Sequence, residues 1–203
     1  METKKITKTI GKNSEVTSEF SIARYKKKIT SLINKELKAP TKEEILSDIL
    51  LDLYISSHKE EIKKSLYLKQ IQMKIGKIWQ IVIGEYKGFI NLKQGHSTGL
   101  DVINENKKLI FELKNRYNTD NNSARTSNLN KLAKYKKEHD DYKCIYGIIN
   151  EKITKPNGCM HIINHDGVEL YYYSGRCLLE LIFEKDTNDI INTIKHIISL
   201  TLN

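Results

Sequence analysis

The apolar residues of the first half of the chain recur at helical spacing. Between positions 18 and 38, Ile22, Tyr25, Ile29, Leu32 and Ile33 predict an amphipathic helix. Pro40 interrupts the pattern, and PTKEEILSDILLDLYI restarts it with a capping box, in which Thr41 accepts from the first turn and Glu44 reaches back. Leu46, Ile49, Leu50 and Leu53 give this second helix a stripe for burial. A third helix is predicted over 58–83, with Ile71, Ile75, Ile78 and Val82 on one face. Residues 1–17 are polar and charged and predict no packed element.

The period changes after Gly84. YKGFINL is short, aromatic and β-branched. GLDVI and KLIFELKN alternate like strands and are separated by NENK, the polar connection a hairpin needs. NTDNNSARTSN then predicts a polar loop, and SNLNKLAKYKKEH a helix with Leu129, Leu132 and Tyr135 inward. YKCIYGIIN is apolar along most of its length, as in a strand covered on both faces. Strands are expected at 159–164 and 168–173, joined at NHDG. The last helix, DTNDIINTIKHIISLTL, carries Ile190, Ile191, Ile194, Ile197 and Ile198 toward the sheet. The expected fold class is α+β with a mixed sheet, in one domain over 1–203. Its parts are a helical region at 1–57, a core at 58–150, and C-terminal strands and helix at 151–203.

Composition narrows the partners. The 203 residues carry a formal net charge of +9, with 39% hydrophobic and 29% charged residues. That balance suits a globular chain and favours a polyanion, because each phosphate met by Lys or Arg releases condensed counterions. A Lys-, Ile- and Asn-rich composition also arises without any partner, so charge alone does not decide. The three cysteines, Cys144, Cys159 and Cys177, are odd in number and irregularly spaced, which argues against a secreted disulfide framework. METKKITKTIGKNSEV lacks the apolar run of a signal peptide and no stretch is long enough to span a bilayer, so the expected location is the cytoplasm.

The chemistry concentrates in GLDVINENKKLIFELKNRYNTDN. Glu-x-Lys also occurs at Glu2/Lys4, Glu36/Lys38, Glu61/Lys63, Glu85/Lys87 and Glu105/Lys107, mostly on predicted helices or turns, where residues two apart diverge. Glu112 and Lys114 instead fall on a predicted strand and share a face, while Leu113 points to the core. Asp101 lies on the strand before, antiparallel and adjacent, so its carboxylate meets that of Glu112. A carboxylate pair on so apolar a sheet calls for a cation. Mg²⁺ suits hard oxygen ligands: Asp101, Glu112 and the carbonyl of Leu113, with Lys114 beside the attacking water.

This stretch resembles the PD-(D/E)XK nuclease superfamily, in particular its type II restriction endonucleases. Asp101 and Glu112-Leu113-Lys114 match the motif, and Leu100 stands at its nominal proline. The resemblance covers 58–150 and implies a restriction-endonuclease-like α-β-β-β-α-β core, here preceded by an N-terminal helical region. IGKIWQIVIG (75–84) and ELKNRYNTDNNSA (112–124) are similar to the small enzymes that cut GGNCC-type sites, with Trp79-Gln80 where that subgroup has His-Gln. The resemblance implies Mg²⁺-dependent hydrolysis of double-stranded DNA leaving 5′-phosphates, a homodimer matched to a palindrome, and a companion DNA methyltransferase. It also makes Gln80 and Glu85 candidates for a helix contribution to the site.

Asn115, Arg116, Asn118, Thr119, Asn121, Asn122, Ser123 and Arg125 follow the motif and are candidates for DNA contact, Arg suiting guanine and Asn adenine. The same residue types favour turns for local backbone reasons. His96, in the loop before Asp101, and the lysine run KLAKYKKEH are weaker candidates. Cys159, His161 and His165, with Cys144 or Cys177, have zinc-ligand types but lack a second close pair. Tyr171 and Tyr173 share one strand face and Tyr172 the other, as a groove, an interface or an ordinary strand. Two other classes remain: a structure-specific nuclease of resolvase or repair type, which the resemblance implies the same core also serves, and a DNA-binding protein without catalysis, which the charge would also explain.

Overall fold

The computed structural model describes residues 20–38, 59–117, 121–151 and 158–202. The expected capping box at Thr41 and Glu44, and the helix it would start, lie outside them. Helix α1 (Ile22–Lys38) buries Tyr25, Ile29, Ile33 and Leu37, one stripe at three- to four-residue spacing. Helix α2 (Lys59–Gly84) buries only its C-terminal part, through Ile78, Val82 and Ile83. It ends against strand β1 (Ile90–Asn91), and the approach is close. A Cβ on Gly84 would lie 2.6 Å from the backbone nitrogen of Asn91.

Strands β2 (Val102–Asn104) and β3 (Leu109–Arg116) form the expected hairpin. Helix α3 (Asn122–Glu138) crosses to β4 (Lys143–Asn150), which pairs parallel to β3. Strands β5 (Met160–His165) and β6 (Val168–Ser174) make a second hairpin, with β6 parallel to β4. The mixed sheet has the order β1-β2-β3-β4-β6-β5. Helices α4 (Gly175–Phe183) and α5 (Thr187–Leu202) close the described chain.

The two faces of the sheet have separate cores, because successive side chains on a strand alternate. Leu109, Phe111 and Leu113 of β3 pack with α1, α2, α4 and α5. Ile110 faces the other way, against Leu129, Leu132 and Ala133 of α3 and Tyr146 and Tyr172 of the neighbouring strands. Tyr171 and Tyr173 take the first face, as their alternation with Tyr172 predicts.

Three local features differ from the sequence expectation. The predicted polar loop before SNLNKLAKYKKEH is in part helix: Asn121 caps α3, its side chain accepting the Ala124 amide at 2.8 Å. The first turn of a helix is as polar as a loop, so composition does not separate them. Helix α4 has no counterpart in the expectation. GRCLLELIF follows β6 after only a short polar step, Ser174-Gly175-Arg176, and Gly175, at φ +52°, makes the turn from strand to helix. Finally, one cysteine pair does form. Cys159 bonds Cys177, joining the start of β5 to the first turn of α4, because the β5–β6 hairpin brings together residues 18 apart. Cys144 is buried and free.

Candidate active site

The pairing of β2 with β3 sets the geometry. Val102 opposes Phe111, so Asp101 enters the hairpin opposite Glu112. The Asp101 amide donates to the Phe111 carbonyl at 3.0 Å, and its own carbonyl accepts from Leu92 at 2.8 Å. Strand β2 begins only at Val102, so the far end of β3 has no β2 backbone beside it. The Asp101 side chain takes that place: Oδ2 accepts the Leu113 amide at 2.7 Å. Its other oxygen, Oδ1, accepts from Gln80 Nε2 of α2 at 2.8 Å. Both carboxylate oxygens are therefore fixed by neutral donors.

Glu112 and Lys114 project from β3 to the α3 face. Glu112 is 4% exposed, and its Oε1 lies 2.9 Å from Lys114 Nζ. The buried carboxylate is tolerable because its own strand supplies the counter-ion two residues on. The Asp101 carboxyl is pushed up to about 6, first by burial and then by the negative charge of Glu112. The Leu113 amide, Lys114 and Lys131 pull in the opposite direction. A neighbouring carboxylate that makes Asp101 costly to ionise is offset by a divalent cation held between the two. The donor set fits one: hard oxygens from Asp101, Glu112 and the Leu113 carbonyl. Among the described residues there is no cluster of three or more His, Cys, Asp or Glu, so water and a phosphate oxygen would have to complete a hard cation's shell.

Other sequence candidates are dispersed. Glu85, in the turn just past the end of α2, is directed to α1, where it pairs with Lys28. Asn115 turns to the α2 face, where its Nδ2 donates to the Gln72 carbonyl at 3.4 Å and its Oδ1 accepts from Asn150 at 2.8 Å. Arg116 ends β3 exposed, and Asn121 caps α3. Asn122 and Ser123 are exposed in the first turn of α3. Arg125 is exposed too, with its guanidinium 5.9 Å from the Tyr146 ring. Tyr146 is the β4 partner of Glu112, which puts Arg125 close to the site. Asn118 and Thr119 lie outside the described residues. His96 bonds Thr98 within its exposed loop at 3.0 Å.

The zinc-like residues do not gather. Cys159 is in the disulfide, the His161 ring stacks on Tyr172 with centroids 4.4 Å apart, and His165 Nε2 meets Asn130 Oδ1 at 2.6 Å. The fold brings one residue of the lysine run KLAKYKKEH to the site. Lys131 of α3 lies over Gly99, close enough for its charge to act on Asp101. It is the first residue of the run KLAKYKKEH, and nothing in the run itself distinguishes it from its neighbours.

A family model described as Eco47II restriction endonuclease matches residues 51–167, more than half of the chain. Comparison with curated proteins gave no match.

Proposed function

The chain belongs to the Eco47II restriction endonuclease family, and on that premise we propose that it is a type II site-specific deoxyribonuclease. It would be Mg²⁺-dependent, hydrolysing both strands of a short recognition sequence. As a nuclease of a restriction family it is a hydrolase acting on double-stranded DNA. The observation that carries the finer reading is the meeting of Asp101, Glu112 and Lys114 at one end of the β2–β3 hairpin, with Gln80 fixing Asp101.

Asp101, Glu112 and the Leu113 carbonyl would hold the cation. Once bound, that ion supplies a water of lowered pKa and offsets charge on the transition state. Lys114 is held against Glu112, where it would stand beside the attacking water and the scissile phosphate. Gln80 and the Leu113 amide keep Asp101 in one orientation, so the ligand set is formed before substrate arrives. Arg125 and Arg116, exposed next to the site, suit contacts to DNA, as do Asn122 and Ser123.

A chain with one such site cuts one strand, so double-strand cleavage of a palindrome calls for a two-fold symmetric homodimer. We extend the proposal to GGNCC-type recognition, 5′-phosphate ends, action in the cytoplasm and a companion methyltransferase, all on the resemblance of the 75–84 and 112–124 stretches. Among the described residues no helix is long and apolar enough to cross a membrane.

The test is a digest of unmethylated phage DNA with purified protein and Mg²⁺, beside Glu112→Ala and an EDTA control. Discrete fragments lost in both controls are expected, and their ends give the site. A smear, or cutting confined to branched DNA, would move the protein to the structure-specific nucleases. Tight, salt-sensitive binding unaffected by Glu112→Ala, without cleavage under any divalent metal, would make it a DNA-binding protein.

A further inference from the structure

Helix α3 covers the face of the sheet that carries Glu112, and it brings a second lysine to the site. The stem of Lys131 crosses the turn that leads into Asp101. A Cβ on Gly99 would meet its Cδ at 3.4 Å, its Cε at 3.5 Å and its Nζ at 3.8 Å. Gly99 has φ +64°, so glycine serves there both the turn and the passage of the lysine. The ammonium donates to Oδ1 of Asn128, 3.2 Å away and one turn earlier on the same face of α3. Asn128 is itself buried, at 6% exposure, so the lysine is held by a fixed group.

The charge arrangement around the two carboxylates is asymmetric. Lys114 is in an ion pair with Glu112. Lys131 is near enough to Asp101 to act on it by charge, yet among the described residues it forms no ion pair, and its hydrogen-bond partner is a neutral amide. A lysine whose task is to neutralise Asp101 would pair with it, as Lys114 does with Glu112. A half-buried cation steered by a neutral side chain keeps its charge for an anion that arrives from outside.

Resting on the nuclease reading above, we propose that Lys131 is a substrate-binding residue of this site, contacting a phosphate of the bound DNA on the Asp101 side. Lys114 and Lys131 then approach the DNA backbone from the strand and from the helix, on either side of the carboxylate pair. Asn128 is the positioning residue for Lys131. Because Lys is a compact point charge, arginine at 131 preserves the contact to phosphate, and alanine removes it.

The experiment compares wild type with Lys131→Ala and Lys131→Arg, with Lys114→Ala as the inactive reference. Cleavage of unmethylated phage DNA is read under single-turnover conditions. Binding to a random-sequence duplex is read in EDTA across a salt series, and thermal melting of each protein is recorded. The expected result for Lys131→Ala is an unchanged melt, a cleavage rate lower by about 10- to 100-fold, and a log–log salt slope smaller by about 1, the loss of one phosphate contact. Lys131→Arg should return both to near wild type.

Wild-type cleavage with an unaffected Lys131→Ala overturns the Lys131 assignment and leaves the nuclease reading standing. A wild type that cuts no DNA, with the salt slope still reduced in Lys131→Ala, overturns the nuclease reading and keeps the phosphate contact. No cleavage and no change in slope overturns both. A drop in melting temperature that arginine does not restore, with the slope unchanged, makes Lys131 a structural residue and ends the proposal.

Discussion

Gln80 Nε2 donates to Asp101 Oδ1 at 2.8 Å, tying the C-terminal end of a long helix to the first carboxylate of the hairpin. The bond holds one acidic side chain in place across 21 residues of sequence. With the Leu113 amide on the other oxygen, Asp101 has little rotational freedom. Gln80→Ala should therefore weaken the use of metal before it weakens the fold. We expect the Mg²⁺ concentration for half-maximal cleavage to rise about 10- to 100-fold, the usual cost of losing a group that orients a ligand. A Mg²⁺ titration of the cleavage rate measures it, and an unchanged titration would remove Gln80 from the site.

Asp101 also predicts a pH dependence. Its carboxyl is lifted from 3.8 to about 6 by burial and by Glu112, so the folded chain binds that proton more tightly than the unfolded chain. In metal-free protein this group therefore costs no stability at pH below the unfolded value. The cost grows as pH rises through the window and is complete above about 6, on the order of 2–3 kcal/mol. Asp101→Asn should raise the melting temperature at pH 7 and change it little near pH 4, while abolishing cleavage. Added Mg²⁺ should stabilise wild type at pH 7 and not Asp101→Asn.

The Glu112–Lys114 pair is unequal in burial, with side chains 5% and 22% exposed. Lys114→Ala leaves a buried carboxylate beside Asp101 without its counter-ion, whereas Glu112→Gln leaves a lysine that can turn toward water. Both substitutions should abolish cleavage. Lys114→Ala should cost more stability, about 3 kcal/mol or more against about 1 for Glu112→Gln. Urea unfolding of the two variants decides the order.

Reduction should loosen the far edge of the sheet. The Cys159–Cys177 bond closes a segment of 18 residues between β5 and α4. Loop-closure entropy for such a segment is worth about 3 kcal/mol. Cys159→Ser, or wild type in reductant, should melt at a lower temperature than the oxidised protein. Both should cut DNA at the oxidised rate, because the bond lies on β5 and α4, away from the β2–β3 hairpin. Equal melting curves would mean the thiols are not paired in solution.

Gly84→Ala tests a close approach that the sequence does not announce. The added Cβ would lie 2.6 Å from the Asn91 backbone nitrogen, so α2 and β1 must separate. A loss of about 1–3 kcal/mol is expected in denaturant unfolding. Cleavage should fall with it, because the same helix carries Gln80.

Periodic and local features of this protein are written in short stretches of its chain. The stripe of α1, the alternation of β3 and the Asn-rich turn between β2 and β3 are written in residues a few positions apart, so the hairpin was legible. With the hairpin came the shared face of Glu112 and Lys114 and the opposition of Asp101. Local chemistry was ambiguous where one composition serves two structures. Asn121 to Arg125 suit a loop and a helix start equally, and GRCLLELIF is a short apolar stretch of nine residues, a length that strand and helix share, although its buried Leu178, Leu179, Ile182 and Phe183 fall at helical spacing. Tertiary structure alone decided the rest, because it joins groups distant in the chain. It brought Gln80, and not Glu85, onto Asp101 through the rotation of α2 against the sheet. It turned Asn115 away from Glu112, paired Cys159 with Cys177 through the strand order, and laid one lysine of a run, Lys131, across Gly99. Those contacts are set by how helices dock on a sheet, a choice made by summed burial over both faces, which no short stretch of sequence contains.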